Sequence, residues 1–435
     1  MDKIKWLYPG MGVKRWLALL IVGVLTFAMG LTVASSTSLF SILEQELRVW
    51  LQARNLNFLF VGFGLMALGS FCVAVAIRYG IRSIIGAIRP QDVPNLVDHV
   101  YKSRNLQKGP HIVTIGGGTG LSTMLRGLKP YSANITAIVT VADDGGSSGR
   151  IRDELGILPP GDVRNTLVAL ADTEPLMERL FQYRFSWGEG LTGHSFGNLF
   201  IAAMTDITGD FEQAIREFSK VLAVRGKVVP STLATVRLGA EYEDGSMAMG
   251  ESSIPKAGKK IKRVFLDTPD AQALPEALEA IAQADVVVLG PGSLFTSVIP
   301  NLLITSLVEA LVNTSALRVY VCNVMTQPGE TDGLTASDHV QALLAHANHQ
   351  PILDYVIVNQ ARISQAQSKK YALQGASPVQ ADVAKLKALG LEVCLGDYLD
   401  QLDLVRHDSA KLAEEIMILA GHHHFWQRVN GERAT

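Results

Sequence analysis

The sequence predicts an α/β protein: a mainly parallel sheet with helices on both faces, a small antiparallel insertion, and two transmembrane helices ahead of them. Three observations carry this prediction. Two uncharged apolar runs lie near the N-terminus. From His111 onward, short apolar runs alternate with longer helical ones, the signature of βαβ units. Between residues 231 and 265 that rhythm lapses into short runs with glycine and charged turns, including Glu243-Asp244-Gly245.

The apolar runs are Trp16 to Ala34 and Phe58 to Ile77. Each has about the 20 residues that a helix needs to cross a hydrocarbon core. Val33-Ala34-Ser35 is only a weak cleavage site for a signal peptide, and the second run argues for a hairpin. Lys3, Lys5, Lys14 and Arg15 precede the first helix, and Arg78, Arg82 and Arg89 follow the second. The connecting segment sets Glu44 and Glu46 against Arg48 and Arg54. This bias predicts both termini in the cytoplasm. The organisation read from the chain is a hairpin over residues 1–78, a juxtamembrane linker over 79–110, an α/β domain over 111–421 with its insertion at 231–265, and a tail over 422–435.

Within the α/β domain the first strand is predicted at His111 to Ile115, with a helix from about Leu121, and the second strand at Ile135 to Val141. Helices follow at Asp162 to Ala171, Phe196 to Thr205 and Phe211 to Ala223. After the insertion, strands are predicted at Asp285 to Leu289, Ala316 to Cys322, Asp354 to Val358 and Leu391 to Cys394, and a last helix at Ser409 to Ala420. The 435 residues carry a net charge of −2, so the basic footprint of a nucleic-acid binder is absent. Cys72, Cys322 and Cys394 show neither metal-ligand nor redox-pair spacing, which fits a reducing compartment.

Six motifs carry the chemistry. In Ile115-Gly116-Gly117-Gly118-Thr119-Gly120-Leu121-Ser122, residues Gly117, Gly118, Thr119 and Gly120 present backbone amides to an anion at a helix N-terminus. Leu121 stands where the dinucleotide fingerprint needs glycine, and no Gly-Lys-Ser/Thr follows, so neither that fingerprint nor a P-loop is present. The second motif runs from Val141 to Arg150. Asp143 and Asp144 suit a ribose hydroxyl or Mg²⁺ beside a phosphate, Gly146, Ser147 and Ser148 add donors, and Arg150 offers a fork for phosphate. In the third, Pro159 to Asn165, Asp162 is placed to cap a helix and Arg164 to face the cleft.

In His194-Ser195-Phe196-Gly197-Asn198, Asn198 can read a base or sugar edge, while His194 has no partner at local spacing. The fifth motif, Gly290 to Ser297, repeats the strand–glycine–helix logic with Gly292, Ser293, Thr296 and Ser297. The sixth, Asn323 to Thr331, puts Asn323, Thr326 and Gln327 beyond a strand's carboxyl end, where ligands of open α/β sheets collect. His422-His423-His424 diverge as consecutive side chains and make no single metal site. No residue is marked as catalytic.

Together these motifs resemble the CofD-like superfamily and, within it, the gluconeogenesis factors (YvcK-like proteins), from about His111 to Gly421. The resemblance implies a Rossmann-like core and a regulatory protein that binds a UDP-sugar such as UDP-N-acetylglucosamine. It implies a role in cell shape and cell-wall precursor allocation during gluconeogenic growth. The alternative is the enzyme branch, which transfers a phospholactyl group from a guanosine-linked donor to a deazaflavin precursor. That branch holds a metal on acidic residues matched here by Asp143 and Asp144, so Mg²⁺ is expected only on that reading and no other cofactor is called for. Asp-Asp-Gly-Gly-Ser-Ser-Gly-Arg and Gln-Pro-Gly-Glu-Thr resemble the gluconeogenesis-factor branch, whose members usually lack a membrane hairpin. The expected partners are the nucleotide sugar and the membrane, with no nucleic acid; a homo-oligomer is compatible with the sequence.

Overall fold

The computed structural model describes residues 13–35, 57–88, 104–172, 175–400 and 405–431. The chain divides into two units, Met1–Ser103 and Arg104–Thr435.

In the first unit, α1 spans Lys14–Ser35 and α2 spans Phe58–Ile88. Both are long and apolar enough to cross a membrane. The second helix continues past the predicted end at Ile77 because no proline interrupts it before Pro90. Part of the predicted linker is therefore helix. Glycines let the two backbones touch. A Cβ on Gly30 would lie 2.6 Å from the Met66 nitrogen, and one on Gly69 would lie 2.5 Å from the Phe27 nitrogen. Small residues are the usual means of such close approach where lipid offers no hydrophobic drive. Trp16 stacks on Tyr79 with centroids 4.9 Å apart, and the Arg15 guanidinium lies 4.9 Å over the Trp16 ring. Phe60, Phe63 and Phe71 point outward.

The second unit is built on β1 (Ile112–Gly116), β2 (Ile135–Val139), β3 (Lys227–Pro230), β4 (Leu238–Tyr242), β5 (Met247–Met249), β6 (Ile261–Leu266), β7 (Val286–Leu289), β8 (Leu317–Val321), β9 (Tyr355–Asn359) and β10 (Glu392–Gly396). Seven form one parallel sheet in the order β10-β9-β8-β7-β1-β2-β3. Strands β1 and β7 are buried at every position, as expected of a parallel sheet covered on both faces. The other three form the antiparallel sheet β5-β4-β6, which is the predicted insertion. Strand β3 went unread in the sequence because its four residues, Lys-Val-Val-Pro, are too short to show a period.

The helices that bear on the site are α3 (Gly118–Leu128), α4 (Gly146–Leu155), α5 (Gly161–Leu170), α6 (Pro175–Gln182), α7 (Phe196–Thr208) and α8 (Phe211–Val221) on the early half. The later half adds α9 (Pro275–Ala282), α10 (Ile299–Leu302), α11 (Thr305–Asn313), α12 (Ala336–His346), α13 (Gln365–Ala372), α14 (Val383–Ala388) and α15 (Ser409–Gly431). Helices α6, α9 and α11 to α14 have no counterpart in the sequence reading, and three further differences touch the motifs or the predicted boundaries. Helix α4 begins inside the Gly-Ser motif, where Ile151 anchors it in the core. The turn after β7 is π-helical over Leu294–Val298 before α10, so it is not a plain helix N-terminus. Helix α15 runs through the predicted tail boundary.

The chain lays β2 and β3 to one side of β1 and then returns to place β7 on the other. The β1/β7 boundary is thus the topological switch point, where the loops after the two strands part and leave a crevice.

Candidate functional site

The two glycine loops meet at that crevice. A Cβ on Gly120 would lie 2.6 Å from the Pro291 carbonyl oxygen, and one on Gly292 would lie 3.1 Å from the Gly117 carbonyl oxygen. Side chains at these positions would push the loops apart. Gly118 opens α3 at φ +70°, a left-handed conformation that favours glycine. Asn323 clamps the second loop from both sides: its Nδ2 donates to the Gly292 carbonyl at 2.7 Å, and the Gly292 N–H donates to its Oδ1 at 3.3 Å.

The resulting cavity holds about 400 Å³. Gly118, Thr119, Gly120, Gly292, Ser293, Asn323, Thr326 and Gln327 line it, as do Pro291 and Ser297. Its far wall was missed by the sequence reading: Tyr371 in α13 and Gln374 just after it, and Val405 and His407 beyond β10. No glycine, cluster or spacing marks these residues, since the wall exists only once the sheet is assembled. The Val405 N–H donates to the Tyr371 hydroxyl at 3.0 Å. Burial pushes His407 down to about 4, so it is neutral near pH 7.

A second group from the motifs forms a buried polar network beside the cavity. The Ser147 Oγ lies 3.2 Å from His194 Nδ1, accepts the Ser195 N–H at 3.2 Å and accepts Asn198 Nδ2 at 3.2 Å. Asn198 also reaches the Ser148 Oγ at 3.4 Å, while its Oδ1 is buried without a partner. Arg164 donates to the Ser195 hydroxyl and, at 2.6 Å, to Asn165 Oδ1. Arg164 and Asn198, expected to face a cleft, are instead buried with the network, because α5 and α7 turn them inward. Arg150 stays exposed and donates to the Thr192 carbonyl at 3.0 Å. Gly146 is exposed at the start of α4. Thr296 is buried and donates to Glu330 Oε1 at 3.1 Å, which takes it out of the cavity wall.

The acidic pair separates. Asp143 accepts the Gly145 N–H at 2.8 Å, and burial raises its carboxyl. Asp144 turns to the antiparallel insertion, where it accepts the Ser252 N–H at 2.8 Å. Among the described residues, no three His, Cys, Asp or Glu side chains converge to hold a metal ion. Asp162 is not the cap of α5: Pro160 holds that position, and Asp162, in the first turn, accepts the Gly118 N–H and packs against Gly117. Burial and the Asp143 charge raise it to about 7. Burial likewise raises Glu251 to about 8 and Glu330 to about 7.

The family model described as 2-phospho-L-lactate transferase CofD matches residues 112–399, the region that holds both glycine loops. The gluconeogenesis factor of Bacillus subtilis is 53% identical over 311 residues, 71% of this chain and 98% of that one. The chain belongs to the gluconeogenesis-factor family, within the CofD-like superfamily. The gluconeogenesis factor of Halalkalibacterium halodurans is 58% identical over 312 residues, 71% of this chain and 96% of that one. A crystal structure of a UPF0052-family protein from Bacillus halodurans superposes with a TM-score of 0.69 at 56% identity, covering 71% of this chain and 99% of that chain. A gluconeogenesis-factor relative from Nostoc sp. is 49% identical over 425 residues, 97% of this chain and 93% of its own length. Similarity to that relative extends into the N-terminal apolar region, so this region is not peculiar to the present chain.

Proposed function

We propose that this gluconeogenesis-factor relative binds a nucleotide sugar of the UDP-N-acetylglucosamine type in the switch-point cleft. On this reading it is a regulatory protein that adjusts cell-wall precursor allocation and cell shape during gluconeogenic growth. The hairpin ties it to a membrane, with both termini and the cleft on the cytoplasmic side. The observation that carries the reading is the meeting of two glycine loops at one crevice. Their amides suit phosphates at one end, and Asn323, Gln327 and Tyr371 offer polar and aromatic surface to a sugar or base at the other.

The match to the CofD family model favours a second reading, a phospholactyl transferase. On that reading Asp143 and Asp144 would hold a metal; Asp144 already accepts the Ser252 N–H of the insertion, which favours the binding reading. Calorimetry of the full chain in detergent with UDP-N-acetylglucosamine and with GDP, with and without Mg²⁺, separates the two. Tight UDP-sugar binding without turnover is the expected result; preference for GDP with Mg²⁺ would replace it by the transferase.

A further inference from the structure

We propose that Asp162 is a built-in counter-anion of the first glycine loop: its carboxylate takes the Gly118 amide that a ligand phosphate would use, and so sets the affinity of the cleft for phosphate. The proposal rests on the nucleotide-sugar reading and concerns how that ligand is admitted.

Asp162 comes from α5, yet its carboxylate accepts the Gly118 N–H at the start of α3. The approach is close. A Cβ on Gly117 would lie 2.4 Å from Asp162 Oδ2. Gly117 has φ −169°, extended backbone that any residue adopts, so the glycine is required by the carboxylate and not by the turn. The Thr140 methyl, 2.8 Å from the same Cβ position, closes the other side.

Gly118 is also the first residue of α3 and a wall of the cavity. Its amide belongs to the set of helix-start donors that have no partner within the helix and that ordinarily receive an anion. The next two residues, Thr119 and Gly120, line the same cavity. A phosphate seated on this turn stands beside the Asp162 carboxylate, and two anions at that separation repel. Arg164, two residues along α5, makes its guanidinium hydrogen bonds to Ser195 and Asn165, so its charge offsets the Asp162 carboxylate only in part and without a direct ion pair. A phosphate therefore enters by displacing Asp162 from Gly118 or by binding against its charge. Either way the residue works as a selector and positioning group for the loop.

The test uses the full chain in detergent micelles with EDTA at about pH 8.5, above the value of about 7 to which burial raises Asp162, so that its carboxylate is charged. Inorganic pyrophosphate and UDP-N-acetylglucosamine are titrated into the unaltered protein and into Asp162→Asn, which keeps the shape and an acceptor for Gly118 but drops the charge. Asp162→Ser is read in parallel in case the amide perturbs folding. The expected result is pyrophosphate affinity about tenfold higher in the variants, the scale of one removed charge at a partly screened site. A merely structural role would weaken both ligands. UDP-N-acetylglucosamine binding that is tight but equal or weaker in both variants overturns this proposal and leaves the nucleotide-sugar reading standing. No binding of either ligand to any of the proteins overturns both.

Discussion

The Oγ of Ser147 lies 3.2 Å from Nδ1 of His194, joining the first turn of α4 to the turn before α7. The same oxygen accepts from the Ser195 N–H and from Asn198 Nδ2. Ser147 is 3% exposed, so this serine–histidine pair holds the framework behind the cleft and offers no nucleophile to a substrate.

Ser147→Ala leaves the Asn198 amide and the Ser195 N–H without this acceptor in a buried site. Unmade buried hydrogen bonds cost about 1–3 kcal/mol. The expected outcome is a lower thermal midpoint for Ser147→Ala, with ligand affinity changed less than by substitutions in the cavity wall. Asn198→Ala should behave as Ser147→Ala does. Differential scanning fluorimetry beside calorimetry separates the two effects; lost affinity at an unchanged midpoint would put Asn198 in contact with ligand.

Asp144→Ala should free the antiparallel insertion, since Ser252 loses its acceptor. The variant is expected to be cut faster by protease near Glu243 to Ser253 while keeping its ligand affinity. Asp143→Ala, whose carboxylate holds the Gly145 N–H and none of the insertion, is expected to do the reverse. Equal proteolysis of Asp144→Ala and the unaltered chain would show that the insertion is held by other contacts.

Glu330 titrates against folding in a defined direction. Its carboxyl moves from 4.5 to about 7, chiefly through burial. A raised folded value favours the protonated form, so the stability that it contributes is full below pH 4.5 and is lost as pH rises through 7. Glu330→Gln should therefore gain on the unaltered chain by about 3 kcal/mol between pH 4.5 and pH 8. Denaturant melts of both proteins at each pH give the difference, in which the buried histidines cancel. No change in that difference with pH would refute the assignment.

In the hairpin, a Cβ on Gly23 would lie 3.0 Å from the Cys72 Cβ. Disulfides need Cβ atoms about 3.5–4.5 Å apart, within a small shift of this geometry. Gly23→Cys is expected to form an intramolecular disulfide with Cys72 under mild oxidation, seen as a mobility change on a non-reducing gel. Gly64→Cys, whose position faces open space, should not.

Local chemistry made much of this protein legible. Strands β1, β2, β7, β8, β9 and β10 were placed within a few residues, because apolar runs bounded by glycine or polar turns are a short-range signal. The cavity wall from Gly118 to Gly120 and from Gly292 to Ser293 was read for the same reason. Residues whose roles depend on partners far along the chain were misread. Asp162 looked like a cap because Gly118 is remote in sequence, and His194 looked partnerless because Ser147 lies 47 residues away.

The sequence by itself determined the two long apolar helices, the βα order and the presence of two glycine loops, each set by hydropathy and turn chemistry within a few residues. Only the tertiary structure decided that the loops after β1 and β7 face each other, that Tyr371 and His407 close their crevice, and that Asp143 and Asp144 part company. The reason is physical. Strand order is settled by which apolar faces bury together over hundreds of residues, and a side chain's neighbours follow from that burial and not from its place in the chain.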